Sequence, residues 1–351
     1  MARTREEIVN GLRILVLHAW LKGNLGDVLQ LSVLLSALRE LKPGVLDLAG
    51  FPPRPARETE EVLRLADRYV PDSFPWYWKL APALAERLVL EPWWRRRRKA
   101  LFSRYDALVC APGPYLAEYD ARAPSALCDI TIAAELGLPV ILSNHSVGPL
   151  QPRGLAAVAK STVRVAREPA TYHYLREHGM SAILSADLAF LYPYTGIAAR
   201  GGIPSPYRLV FLRSNNVDAS RLRLENGGIF EGSRLVVEGG SDRLVLATSD
   251  YRRDERFLAR AARNLGLSWV GCRSVTEMVK LIGGSSGVVS DRYHPAICAA
   301  ALGKPAQVLL NREPHKMQGL KRLLGDNTLE ELKGLARAGL LTVRDALRGS
   351  R

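Results

Sequence analysis

Apolar runs rich in valine, isoleucine and leucine alternate along the chain with longer segments whose apolar residues fall three and four positions apart. The first run, residues 13–19, has the composition of a parallel strand buried on both faces. A Gly-Asn loop follows. Residues 27–41 then place Leu31, Leu34, Leu35 and Leu38 at helical spacing, and Lys42-Pro43-Gly44 ends the helix. Strands are expected again at 45–51, 106–111, 139–147, 162–167 and 182–190, with helices at 126–136 and 169–178 between them. Residues 192–207 interrupt the rhythm with Pro193, Gly196, Gly201, Gly202, Pro204 and Pro206, a density of turn formers that marks a linker. Beyond it the rhythm restarts, with strands at 208–212, 242–248, 268–271, 287–290 and 305–310 and helices at 254–265, 275–282, 294–302 and 316–324. Residues 221–238 read instead as a hairpin around Glu225-Asn226-Gly227-Gly228. The last segment, 329–347, is amphipathic and helical.

Alternation of this kind gives an α/β fold with parallel sheets covered on both faces. The expectation is two Rossmann-like doubly wound domains facing across a cleft. Residues 1–195 would form the first, with an aromatic and basic insertion at about 73–104. Residues 205–325 would form the second, and residues 326–351 a helix packing back on the junction.

Composition supports two packed cores. In 351 residues, 47% are hydrophobic and 24% charged, unlike a disordered chain. No apolar run is long enough to cross a membrane, and no apolar signal core follows Met1 to Glu7, so the expectation is a cytoplasmic protein. The four cysteines, Cys110, Cys128, Cys272 and Cys298, form no CxxC pair and read as buried, reduced thiols rather than a zinc site.

Charge changes the picture more. The formal net charge is +14, and arginines outnumber lysines thirty-nine to ten. Such a field attracts phosphorylated substrates, anionic lipid or nucleic acid, although a GC-rich genome or a hot habitat gives the same composition. Part of the charge is concentrated in the insertion. Phe74, Trp76, Tyr77 and Trp78 precede Trp93, Trp94, Arg95, Arg96, Arg97, Arg98 and Lys99. Tryptophan beside arginine suits a peripheral contact at the inner face of a membrane. A cap over the first domain with a solvated basic edge accounts for the same residues. Nucleic acid is the least favoured partner, since no recognition motif accompanies the charge.

In open parallel sheets ligands bind beyond the carboxyl ends of the strands, so the polar residues there are the ones to read. Gly23-Asn24-Leu25-Gly26-Asp27 turns the chain tightly into a helix whose free amides attract anions, or is a plain turn with Asp27 as the helix cap. Pro112-Gly113-Pro114 follows the strand at 106–111. Asn144-His145-Ser146 ends a strand before Gly148-Pro149, which places His145 to meet a ligand or to bond a neighbouring loop. Ser290-Asp291-Arg292-Tyr293-His294 follows a buried strand and precedes Pro295, so a fixed cation and a titratable acid converge on a helix N-terminus. Arg213 ends the first strand of the second half. Arg167 also ends a strand, but with Glu168 beside it a structural pair is an equal reading.

In this order the motifs resemble the polysaccharide pyruvyl transferase family from Gly23 to about Leu324. Residues 23–27 are similar to its Gly-Asn-x-Gly-Asp start, and Asp187 to Phe190 to its Asp-x-x-Phe. Arg292-Tyr293-His294 with Gly303-Lys304-Pro305 is similar to its Arg-x-His…Gly-x-Pro block, and Lys316 falls at its late lysine. The resemblance implies the GT-B-like fold of two-domain glycosyltransferases and transfer of an enolpyruvyl unit from phosphoenolpyruvate to a cell-surface glycan, leaving a pyruvate ketal. Phosphoenolpyruvate would be a donor substrate, with no cofactor and no metal required, and the acceptor a glycan or lipid-linked saccharide. Arg292, Arg213, Arg167, Ser290 and Lys316 would hold the donor, and His294 would act as acid with His145 handling the acceptor proton. Gly23, Asn24, Gly26, Asp27 and Gly113 would line the cleft. The alternative is a glycosyltransferase using a nucleotide-sugar donor on the same plan.

Overall fold

The computed structural model describes residues 11–349 except 52–54, 72–89, 121, 195–202, 204–205, 239 and 311–313. The aromatic run at Phe74 to Trp78 and most of the glycines and prolines of the linker lie outside these residues.

The first sheet holds β1 (Arg13–Trp20), β2 (Val45–Phe51), β3 (Arg68–Pro71), β4 (Ala107–Cys110), β5 (Gly113–Leu116), β6 (Val140–Val147), β7 (Val163–Ala166) and β8 (Ile183–Leu184). Its order is β3-β2-β1-β4-β6-β7-β8, parallel throughout, with β5 paired to β6 alone. Around it lie α1 (Leu25–Arg39), α2 (Leu90–Phe102), α3 (Ala123–Glu135), α4 (Pro152–Ala159) and α5 (Pro169–Glu177). The second parallel sheet, in the order β14-β13-β9-β15-β16, uses β9 (Tyr207–Phe211), β13 (Arg243–Thr248), β14 (Ser268–Gly271), β15 (Gly287–Ser290) and β16 (Ala306–Val308). Between β9 and β13 the chain forms an antiparallel sheet of β10 (Leu222–Glu225), β11 (Gly228–Glu231) and β12 (Arg234–Val237). Asn226 and Gly227, both at positive φ, make the tight hairpin turn read from the sequence. Apart from the single turn Glu60–Leu63 and short 3-10 turns, the other helices among the described residues are α6 (Tyr251–Leu265), α7 (Val275–Gly283), α8 (Tyr293–Ala301), α9 (Pro314–Asp326) and α10 (Leu329–Arg348).

Two features position the cleft. Helix α1 is buried over most of its circumference, with Leu25, Val28, Leu29, Leu34, Leu35 and Leu38 all at 1% exposure or less and the strip of Ser32, Ser36 and Arg39 reaching solvent. It is wedged between the first sheet and α7, α8 and α10, so its apolar surface is much wider than the single stripe of a surface helix. Helix α10 returns to the first sheet. The Ser185 hydroxyl donates to Leu335 O at 3.0 Å, and Gly339 lies so close to Ser185 and Val165 that a side chain there would overlap them.

Sequence and structure differ at several elements, beginning with β3, an edge strand where none was expected. The strand expected at 182–190 stops at Leu184, because Asp187 accepts the Ala189 N–H at 2.8 Å and caps a 3-10 turn, Leu188–Leu191. Strand β5, with Pro114 inside it, was not anticipated; proline is tolerated because this strand has one neighbour only. The basic insertion ends as α2, whose Trp94 and Arg98 face inward at 4% exposure. Arg98 Nε donates to buried Asp129 at 2.7 Å, so these two residues are part of the first domain's interior and not of a membrane face. Trp93, at 54% exposure, and Arg96 and Arg97 stay outside. Arg95 is half-buried and, with Lys99, pairs with Glu135. Among the described residues no helix is long and apolar enough to cross a membrane. The four cysteines are free thiols, three of them buried.

Candidate functional site

The carboxyl ends of both sheets open onto a cavity of about 730 Å3 in the cleft. Its first wall begins at β1. The register against β2 shifts between Val16 and Ala19, and His18 takes φ 62°, a left-handed conformation uncommon for a residue other than glycine. The bulge turns the His18 ring into the cavity wall, with Nε2 3.4 Å from Asp129. Nothing in the sequence reading singled His18 out, although the rule about carboxyl ends of strands applies to it.

The loop after β1 closes the wall. Gly23 has φ 89°. Asn24, not Asp27, caps α1: its side chain accepts the Gly26 N–H at 3.3 Å and donates to Asp27 Oδ2 at 2.9 Å. Asn24 and Asp27 line the cavity. Leu25 N–H donates to Ser249 O at 2.9 Å and Asn24 bridges to Asp250, so this loop joins the two domains directly. Gly26 has a steric reason: a Cβ there would overlap the His294 ring.

The second wall is built on β15 and α8. The Ser290 hydroxyl accepts the Arg292 N–H at 3.0 Å and donates to Arg292 O at 2.8 Å, so buried Ser290 shapes the turn from behind instead of lining the cavity. Arg292 occupies the N-cap position of α8 and forms an ion pair with buried Asp254. Burial pushes its guanidinium down to about 9, opposed by Asp250 and reinforced by Arg213 and Arg253. A cation so dehydrated and surrounded by others gains most from an anionic ligand. Arg213 and Lys316 also line the cavity, Lys316 with Nζ 5.3 Å from the Tyr293 ring centre.

His294 sits in the first turn of α8 with Nε2 3.6 Å from Asp187 Oδ2, a carboxylate of the first domain. Burial would raise Asp187, but His294, Arg167 and the Ala189 N–H outweigh it and hold the carboxyl at about 2. The ring is thus oriented by a charged partner from across the cleft, the arrangement a histidine acid or base requires.

Three residues singled out in the sequence lie one layer behind this wall. Arg167 is fully buried, donating to Asp187 at 3.0 Å and to Ser146 Oγ at 2.7 Å, under the Tyr293 ring. Its carboxylate partners hold it charged against the cost of burial, so it orients Asp187 rather than a ligand. His145 has Nε2 2.7 Å from the Tyr115 hydroxyl. Burial, helped by Arg167 and His18, pushes it down to about 3, so its ring is neutral at physiological pH. Gly113 pairs with His145 in β5, and its neighbour Pro114 carries the cavity wall instead.

Electrostatically the cavity is lopsided. Among the described residues, seven lysines and arginines line it against three aspartates. Sequence reasoning missed Lys22, Arg122, Arg252 and Arg253. The last two follow β13 in the first turn of α6, where the same positional rule was available; Arg122 is brought in by tertiary packing over the Trp20 ring, 4.9 Å away. Among the described residues no group of three or more His, Cys, Asp or Glu could hold a metal ion.

Known structures share the two-domain fold. UDP-GlcNAc 2-epimerase from Methanocaldococcus jannaschii, in complex with UDP-GlcNAc and UDP, superposes with a TM-score of 0.59 at 13% identity, over 96% of this chain and all of that one (100%). The Rickettsia bellii UDP-N-acetylglucosamine 2-epimerase gives 0.57 at 12% identity, over 97% of each chain. The Neisseria meningitidis UDP-GlcNAc 2-epimerase bound to UDP-GlcNAc gives 0.53 at 11% identity, over 96% and 99%. At such identities the likeness establishes the fold, the two-domain GT-B type. Comparison with curated protein sequences gives no match. The family profile described as Polysaccharide pyruvyl transferase matches residues 24–312, from the loop that caps α1 to the segment before α9. A match over that much of the chain decides the matter: the chain belongs to the polysaccharide pyruvyl transferase family.

Proposed function

We propose that this protein transfers an enolpyruvyl unit from phosphoenolpyruvate to two hydroxyls of a glycan sugar, leaving a pyruvate ketal and inorganic phosphate. The observation that carries the reading is the convergence of Arg213, Arg292 and Lys316 with the His294–Asp187 pair on one cationic cavity. A donor with a carboxylate and a phosphate suits paired guanidinium and ammonium groups.

In this scheme His294 protonates the donor's methylene carbon, and the adjacent carbon becomes an oxocarbenium-like centre. A sugar hydroxyl adds there and loses its proton. The carbon–oxygen bond to phosphate then breaks, and the second hydroxyl closes the ring as its proton leaves with phosphate. His18, held against Asp129 on the opposite wall, takes the acceptor-side role for which the sequence pointed to His145, because its ring reaches the cavity. The exposed Trp93, Arg96 and Arg97 on α2 fit a membrane surface, and a lipid-linked acceptor would be presented there on the cytoplasmic side.

The test is phosphate release from phosphoenolpyruvate in the presence of a glycan panel, with ketal formation followed by mass. A second reading, a nucleotide-sugar donor, is favoured by the UDP-GlcNAc complexes of proteins with this fold. Thermal stabilisation by UDP-GlcNAc and not by phosphoenolpyruvate would reverse the order.

A further inference from the structure

A second cavity, of about 780 Å3, lies beside the first in the second domain, between α6 and the loop that follows β9. The two share Asn215. The loop between them is pinned: Ser214 Oγ donates to Asp254 at 2.9 Å and Asn216 Nδ2 to Asp291 Oδ2 at 2.9 Å. Asn215 itself has a buried side-chain oxygen that meets no partner among the described residues, an acceptor aimed at the junction of the cavities.

Arginines mark the path across that junction. On α6, Arg252 and Arg253 line the first cavity while Arg256 and Arg260 line the second. Arg252, Arg256 and Arg260 follow one helix face at successive turns, a strip of about 12 Å. Arg221 adds a fourth cation from the far side. Arg221, Arg256 and Arg260 are exposed and form no ion pair among the described residues. Of the two carboxylates of the second cavity, Glu231 pairs with Arg234, and Asp218, which accepts from Ser220, is the single negative charge that Arg260 and Arg221 share. Three guanidinium groups that share one carboxylate leave a net positive, concave surface continuous with the cleft, a field that attracts an anionic ligand.

We propose that this groove is an acceptor subsite for an acidic saccharide. It holds carboxylate or phosphate groups of the chain on Arg256, Arg260 and Arg221, and a sugar hydroxyl on Asn215, while the sugar to be modified lies in the cleft. The inference rests on the reading of a glycan acceptor and adds its chemical class: the acceptor is anionic along its length, not neutral. Single-stranded nucleic acid is the less fitting polyanion, since Phe257 is the one aromatic residue among the described residues of the groove and bases need stacking platforms.

Binding of three oligosaccharides of matched length tests this on the full chain by calorimetry without donor: oligogalacturonate for carboxylates, oligo(glycerol phosphate) for phosphates, and neutral dextran. At least one acidic probe should bind about tenfold or more tightly than dextran, and whichever does identifies the acidic group. Arg256→Ala/Arg260→Ala should abolish that preference, and Arg256→Lys/Arg260→Lys should keep most of it. A control must separate a local site from the general field of a chain at +14. Lys160→Ala/Arg176→Ala removes the same charge from exposed positions of the first domain and should leave the preference intact. Equal affinity for acidic and neutral probes overturns the proposal, as does an equal loss in the control variant. So does oligo-dT that binds more tightly than every glycan through the same arginines. Phosphate release from phosphoenolpyruvate is measured separately: its absence overturns the donor reading, whereas loss of the glycan preference alone overturns the groove.

Discussion

Arg292 has two tasks, and a substitution there reports on both. Its guanidinium faces the cavity and neutralises Asp254, which is buried with it. Arg292→Ala should lower kcat/KM for phosphoenolpyruvate at least about a hundredfold, because a charge-assisted contact in a water-poor site is lost. It should also destabilise the fold by about 3 kcal/mol, since Asp254 is left charged without its partner. Adding Asp254→Asn should restore the melting temperature and not the turnover; normal turnover in Arg292→Ala would remove the residue from the donor site. Asp187 carries a pH signature. Its carboxyl is held at about 2, below the usual carboxylate range of about 4, so folding favours the ionised form. The stabilisation is fully present above about pH 4 and is lost as pH falls toward 2, on the order of 2 kcal/mol. Asp187→Asn should therefore melt below wild type at pH 6, and the gap should close as pH is lowered through 3. A gap that stays constant with pH would show that the pair with Arg167 and His294 is not ionic.

At the scale of elements, close approach of backbones sets the site. Gly26 opens α1 where α8 brings the His294 ring against it, and a Cβ would overlap that ring. Gly26→Ala should displace His294, lower kcat at least about tenfold and cost about 1–3 kcal/mol of stability through overpacking. Steady-state kinetics within twofold of wild type would show that the ring can move without cost. Helix α10 meets the first sheet through a similar approach. A side chain at Gly339 would overlap Ser185 and reach within 2.9 Å of Val165. Gly339→Val should destabilise by about 1–3 kcal/mol through overpacking, read as a drop in the denaturation midpoint. These two glycines look alike in the sequence, yet one protects chemistry and the other a packing seam.

For the molecule as a whole, the cleft is an electrostatic device. With seven cations against three carboxylates on its wall, it concentrates anions, and added salt should screen that attraction. KM for phosphoenolpyruvate should rise several-fold between 0.05 and about 0.5 M salt while kcat moves much less, since screening acts on the encounter. A KM independent of salt would mean that the donor is held by short contacts alone. The contact of Leu25 and Asn24 with Ser249 and Asp250 ties the two domains at the mouth of this cleft, so the loop that caps α1 also sets the separation of the first wall, with His18, from the second, with Arg292 and His294.

The order of strands and helices was legible in the sequence because burial on both faces imposes continuous apolar runs on parallel strands and three-four spacing on their helices. The same logic, with the carboxyl-end rule, reached Arg292, His294, Arg213 and the loop from Gly23 to Asp27. It placed the end of β8 too late, since the cap by Asp187 is a side-chain contact with no periodicity. It could not rank the layers around the site. Arg167, His145 and Ser290 end strands as Arg213 does, yet they turn away from the cavity, whereas His18 reaches it through a bulge in β1. Which side of the wall a residue faces depends on bulge geometry and on partners distant in sequence, such as Asp129 for His18 and Tyr115 for His145. Local pattern determined the elements and the strand ends where chemistry gathers. Only the packing of two domains against each other decided which of those side chains share one cavity, because that is settled by contacts the chain makes after it has folded back on itself.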